Sequence, residues 1–98
     1  MNEIERLRQA IKALHGCDSS HLQKIPVLET FEGHVRWDAA VEEFVLVGHA
    51  KAKKAYAWCY RDKSGEPKYV VVLAIPPVTT AHDAVRTYMG FDIPKRQE

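Results

Sequence analysis

No stretch of this chain is long and apolar enough to cross a membrane. The apolar runs at residues 44–47 and 69–75 fall far short of the ~20 residues a spanning helix needs. Cysteine is scarce: Cys17 and Cys59 are the only two. The first residues form a charged amphipathic segment rather than a basic start with an apolar core. The expectation is therefore a cytoplasmic protein with two reduced thiols. Charge of one sign is nearly absent in the balance, since the net charge is +1, too little to imply nucleic-acid binding by itself. There is no internal repeat, no low-complexity segment and no glycine-rich phosphate loop. Cys17 follows His15 at H-x-C spacing, but no second pair completes a zinc site, so neither a metal nor a cofactor is expected.

What is present describes one folded domain over residues 1–98. Hydrophobic residues make up 46% and charged residues 28%, which excludes disorder. The charge is unevenly placed. Residues 1–50 carry eight acids against five bases, and residues 51–98 carry nine bases against five acids. That asymmetry fits either an anion-facing side or a mixed solvated surface.

The spacing of Ile4, Leu7, Ile11 and Leu14 predicts a helix over 2–15, opened by an Asn2/Glu5 capping box and closed by Gly16. Residues 17–23 are polar and predict a loop. Residues 25–31 predict a short strand, at a sheet edge because Pro26 lacks a ladder donor. Glu32-Gly33-His34 is a turn, and 35–47 a long strand. In that strand Val35, Trp37, Ala39 and Val41 share one face. Its last four residues are apolar on both faces, which asks for a bulge near 39–43 or cover on both sides. The 48–54 connection leads to a strand over 55–61. Tyr56, Trp58 and Tyr60 share one of its faces, and Ala55, Ala57 and Cys59 the other. A turn over 62–67 precedes a final strand over 68–75, which Pro76 and Pro77 end. Thr80 and Asp83 cap a second helix over 80–88, and Gly90 ends it. A frayed tail is expected at 95–98.

The order α-β-β-β-β-α with short connections predicts an α+β two-layer sandwich: a four-stranded antiparallel meander with both helices on one face. If the small residues of the third strand lie under the helices, the aromatic ones face outward. An exposed patch of that kind predicts a homodimer through the open sheet face. The competing assignment places the aromatics under the helices.

Candidate ligand-binding residues follow from the central hairpin. His49, Lys51, Lys53 and Lys54 suit a phosphate or carboxylate, with Gly48 admitting close backbone approach. A turn whose lysines merely guard strand ends is the commoner role of such a basic connection. Tyr56, Trp58 and Tyr60 suit an aromatic ligand or stacked bases, but such strand aromatics more commonly form a packed core or a subunit interface. His15, Cys17 and His21 gather at most three metal ligands. Glu42 and Glu43 are adjacent in a strand and so point to opposite faces. Either one near His49 would make a candidate acid/base pair. Cys59 is expected to be buried and inert.

The run from Gly48 through Lys51, Lys53 and Lys54 to Tyr56 and Trp58, with the strand ending Ile75-Pro76-Pro77-Val78 and Leu14 to Cys17 of the first helix, resembles a family of small uncharacterised bacterial proteins, some carried on mobile gene cassettes. The resemblance implies no activity, ligand or catalytic residue. The element order also resembles the double-stranded-RNA-binding domain. That domain has three strands, however, and lysines at the start of its last helix, where this chain has Thr79-Thr80-Ala81-His82-Asp83. The leading expectation is a non-enzymatic binding module for an anionic or aromatic ligand. The alternatives are a nucleic-acid-binding protein using the same surface and a small enzyme using His49 with Glu42 or Glu43.

Overall fold

A computed structural model of the chain describes residues 2–90. The element order is α1 (Glu3–His15), β1 (Asp18–Phe31), β2 (His34–Val47), β3 (Lys54–Arg61), β4 (Pro67–Leu73) and α2 (Ala81–Met89). The four strands form one antiparallel sheet in the order β1-β2-β3-β4, the expected meander. The expected frayed tail at 95–98 lies outside the described residues. Among the described residues, no helix is long and apolar enough to cross a membrane.

Both helices are capped as their sequences predict. Asn2 Oδ1 accepts from the Glu5 N–H at 2.9 Å, and Gly16 closes α1 with a φ of 69°. The Glu5 carboxylate turns to Arg8 at 2.8 Å instead of reaching back to the cap. The Thr80 hydroxyl accepts from the Asp83 N–H at 3.1 Å, and Gly90 closes α2. The Asp83 carboxylate, fully buried, accepts from both the backbone N–H and the hydroxyl of Thr79 at 3.0 Å.

The placement of the helices departs from expectation. Successive strand residues point to opposite faces. Ala55 and Ala57 pack in one cluster with Leu7 and Ile11 of α1. Tyr56 and Trp58 pack in a second with Ala81, Ala84 and Val85 of α2. One helix therefore lies on each face, rather than both on one. The cause is the composition of β3. Its alanines let α1 approach closely, while its aromatic side carries too much apolar surface to remain wet. The narrow alanine face of α2 seats directly on those rings. The expectation of a homodimer rests on an open aromatic face, and that face is closed: Tyr56 and Trp58 are each 3% exposed.

The expected loop over 17–23 is mostly strand. Asp18 to His21 pair with Val47 to Phe44, so the polar start of β1 is held by the apolar end of β2. Cross-strand partners here override local composition. The register shifts lie between His21 and Gln23 and between Glu29 and Thr30, not near 39–43. At the end of β2, Phe44 and Leu46 are buried beneath α1, while Val45 and Val47 stay partly exposed on the other side. The β1–β2 hairpin is long, with 14 residues in each arm, yet β2 pairs with β3 over only four residue pairs, from Glu42↔Ala57 to Val45↔Lys54. Beyond that junction the hairpin turns toward α2, and Glu29 there meets His82 at 3.1 Å and Arg86 at 3.3 Å.

Two expectations test this arrangement. Trp58→Ala is expected to cost about 3–5 kcal/mol in chemical denaturation, because it empties the space between β3 and α2. The Glu32-Gly33 turn has positive φ at both residues, 52° and 79°. Such a turn favours asparagine at its first position, so Glu32→Asn is expected to stabilise the fold by up to about 1 kcal/mol in the same assay.

Candidate functional site

The connection between β2 and β3 is built around a buried alanine and a histidine. Ala52 belongs to the α1 cluster and anchors the connection on that side. His49 Nδ1 accepts from the backbone N–H of Lys51 at 3.1 Å and of Ala52 at 3.0 Å. This closes the turn as an Asx side chain does, and it places the ring proton on Nε2. The His49 ring meets His15 edge-on, with centroids 6.0 Å apart. Gly48 has a φ of 81°, and a Cβ there would meet open space. That φ is the left-handed turn conformation that favours glycine.

The connection borders a cleft of about 410 Å³. Lys51, Lys53 and Lys54 form one rim, and Tyr56, Val78 and Thr79 help to line the rest. The second wall comes from the segment between β4 and α2. That segment is tied to β3 by the Ala74 N–H, which donates to the Lys54 carbonyl at 2.9 Å. Val78, buried in the α2 cluster, fixes the other end. The result is an apolar floor beneath a cationic edge, within the size range of small-molecule sites.

Charge in the cleft is only partly balanced. Glu43, cross-strand partner of Tyr56, is 4% exposed. It accepts from Gln23 Nε2 at 2.8 Å and lies 3.7 Å from Lys54 Nζ. Lys51 and Lys53 are exposed and have no ion-pair partner among the described residues. The Tyr56 hydroxyl donates to the Thr79 carbonyl at 3.3 Å. Burial raises its pKa above the ordinary 10.0, and the nearby charges of Glu43 and Asp83 add to the effect. The phenol is thus a hydrogen-bond donor, not a base.

The seven residues singled out from the sequence separate into three groups. Lys51, Lys53, Lys54 and Tyr56 come together in the cleft. His49 is engaged in its own turn. Trp58 and Tyr60 belong to an aromatic cluster at the far end of α2. There Trp58 meets Trp37 at 5.1 Å and Tyr88 at 5.4 Å, and Tyr60 meets Tyr88 at 6.3 Å. The strand therefore offers no stacking platform for bases, because α2 lies on Tyr56 and Trp58.

The acid/base pairing with His49 is not formed either. Glu42 lies on the α1 side, 2.8 Å from His21 Nε2, and Glu43 on the α2 side with Gln23 and Lys54. His15, Cys17 and His21 have separate neighbours: His49, the α1 core and Glu42. No group of three metal-binding side chains forms among the described residues. Cys59 is half-buried rather than buried, with its Sγ 3.9 Å from the Tyr60 carbonyl. Sequence reasoning missed the cleft's second wall at 74–79 and the Glu29 cluster, both of which depend on contacts between distant segments.

Comparison with protein-family models, with curated proteins and with solved structures finds no match to this chain.

The raised pKa of Tyr56 has a definite sign. The folded protein holds this proton more tightly than the unfolded chain, so the contribution is intact below about pH 10 and lost as pH rises through the folded value. The Tyr88 phenol, raised chiefly by its hydrogen bond with Tyr60, acts in the same direction. Tyr56→Phe is expected to make the alkaline loss of stability shallower in thermal melts recorded above pH 10. An unchanged alkaline profile would remove Tyr56 from this account.

Proposed function

We propose that the protein is a small binding module without catalysis of its own, and that its lysine-rimmed cleft takes a small anionic ligand with an apolar or aromatic body. One observation carries this reading: Lys51 and Lys53 stand without ion-pair partners among the described residues, at the edge of a cleft with an apolar floor. An anion at that edge gains charge-assisted hydrogen bonds. Its apolar part is covered by the wall that Val78 supplies, and the Tyr56 phenol adds a donor. A turn that only guarded strand ends would need the lysines but not the cleft. The nucleic-acid reading draws nothing from the aromatic strand, most of which is covered, and the enzyme reading nothing from His49, whose Nδ1 is already used.

The test is an NMR titration with phenyl phosphate, using inorganic phosphate and benzyl alcohol as charge-only and ring-only probes. Phenyl phosphate is expected to shift the amides of Lys51, Lys53, Val78 and Thr79, and to bind about tenfold more tightly than either partial probe. The double variant Lys51→Glu, Lys53→Glu is expected to lose that binding while keeping its fold. Shifts spread evenly over the surface, or affinity indifferent to charge reversal, would overturn the proposal.

A further inference from the structure

A second cleft lies on the opposite face and at the opposite end of the sheet from the lysines. It has a volume of about 280 Å³ and is lined by Glu3 and Arg6 from α1, by Cys59 and Arg61 from β3, and by Tyr69 from β4. The topology explains the meeting. Cys59 and Tyr69 are cross-strand partners, Arg61 pairs with Pro67, and α1 crosses this face with its first turns over the end of the β3–β4 hairpin. Tyr69 packs against the α1 cluster, so its ring forms a fixed wall. Arg61 is oriented by its donation to the Gly65 carbonyl at 2.7 Å. Arg6 and Glu3 have no ion-pair partner among the described residues.

The charge pattern differs from that of the lysine cleft. Two guanidinium groups and one carboxylate line a cavity smaller than most drug-sized sites. A guanidinium matches a carboxylate in a planar, two-point fashion, and the Glu3 carboxylate matches an ammonium group. A dianion would meet Glu3 as a like charge, and a simple cation would meet both arginines. We infer that this cleft binds a free α-amino acid with an apolar or aromatic side chain. Its carboxylate lies at Arg6 and Arg61, its ammonium at Glu3, and its side chain against Tyr69. The site is independent of the lysine cleft and stands whether or not that cleft binds an anion.

Cys59 supplies the measurement. It is half-buried in the wall of the cleft, while Cys17 is buried in the α1 core and serves as an internal reference. The rate of alkylation of each thiol by iodoacetamide, a neutral reagent, is followed by peptide mass mapping. L-phenylalanine is expected to slow alkylation of Cys59 at least about threefold while leaving Cys17 unchanged. Phenylpropionate, which lacks the amine, and phenethylamine, which lacks the carboxylate, are expected to protect about tenfold less well at equal concentration. Arg6→Ala is expected to abolish protection. Glu3→Gln is expected to remove the preference for the amino acid over phenylpropionate. Both positions are exposed on α1, and a folded NMR spectrum of each variant checks that the helix remains docked. Equal protection by phenylpropionate or by inorganic phosphate would overturn the zwitterion assignment, and no protection by any probe would overturn the site.

Discussion

The centre of strand β3, from Ala55 to Trp58, is buried on both faces, and this constraint governs the rest of the structure. Six of its eight residues, 55–60, alternate between small and aromatic side chains. Each side therefore needs a different partner. The small side accepts Leu7 and Ile11 of a thirteen-residue helix. The aromatic side accepts a shorter helix whose inner face is itself alanine and valine. Bulk on one surface meets smallness on the other in both layers, which is how a close-packed interior is filled without voids. Because the two helices approach from opposite sides, each end of β3 meets a different pair of segments. One end meets the β2–β3 connection and the approach to α2; the other meets the start of α1 and the β3–β4 turn. Both clefts arise at these meetings.

The buried carboxylates follow a second rule. Glu29, Glu42 and Glu43 all sit on the β1–β2 hairpin with less than a tenth of their surface exposed, and each faces a cationic or hydrogen-bonding group from another position. Glu42 meets His21 and Lys24 across the hairpin. Glu43 meets Gln23 on β1 and Lys54 on β3. Glu29 meets His82 and Arg86 on α2. A carboxylate taken out of water needs such partners. Pairs of this kind contribute modestly to net stability, but removing one partner leaves a costly charge behind, so they specify which segments adjoin.

Local signals in the sequence carried much of the architecture. Asn2, Thr80 and the glycines after each helix act within a few residues of themselves, and the expected caps form. Alternation in β3 was equally plain, because its period is two and its residue types are extreme. What the sequence hid was long-range. The strand character of Asp18 to His21 comes from Val45 and its neighbours across the hairpin, not from those polar residues. The choice of face for each helix depends on total apolar surface, which no local window contains. The lysines of the first cleft were visible, whereas its other wall, from Ala74 to Thr79, becomes adjacent only when β4 pairs with β3. Arg6 and Arg61 lie far apart in the chain, and nothing near either one announces the other.

The narrow junction between β2 and β3 divides the sheet into two hairpins, each closed by its own short turn. Each hairpin completes its ladder using residues close in sequence, and such local contacts form with little loss of chain entropy. Joining them then requires alignment of only four residue pairs. Glu42 and Glu43 occupy two of those four positions, one facing each helix. The junction thus works as a keyed seam: a shift by one residue would exchange the two carboxylates between faces and part Glu43 from Lys54 on β3.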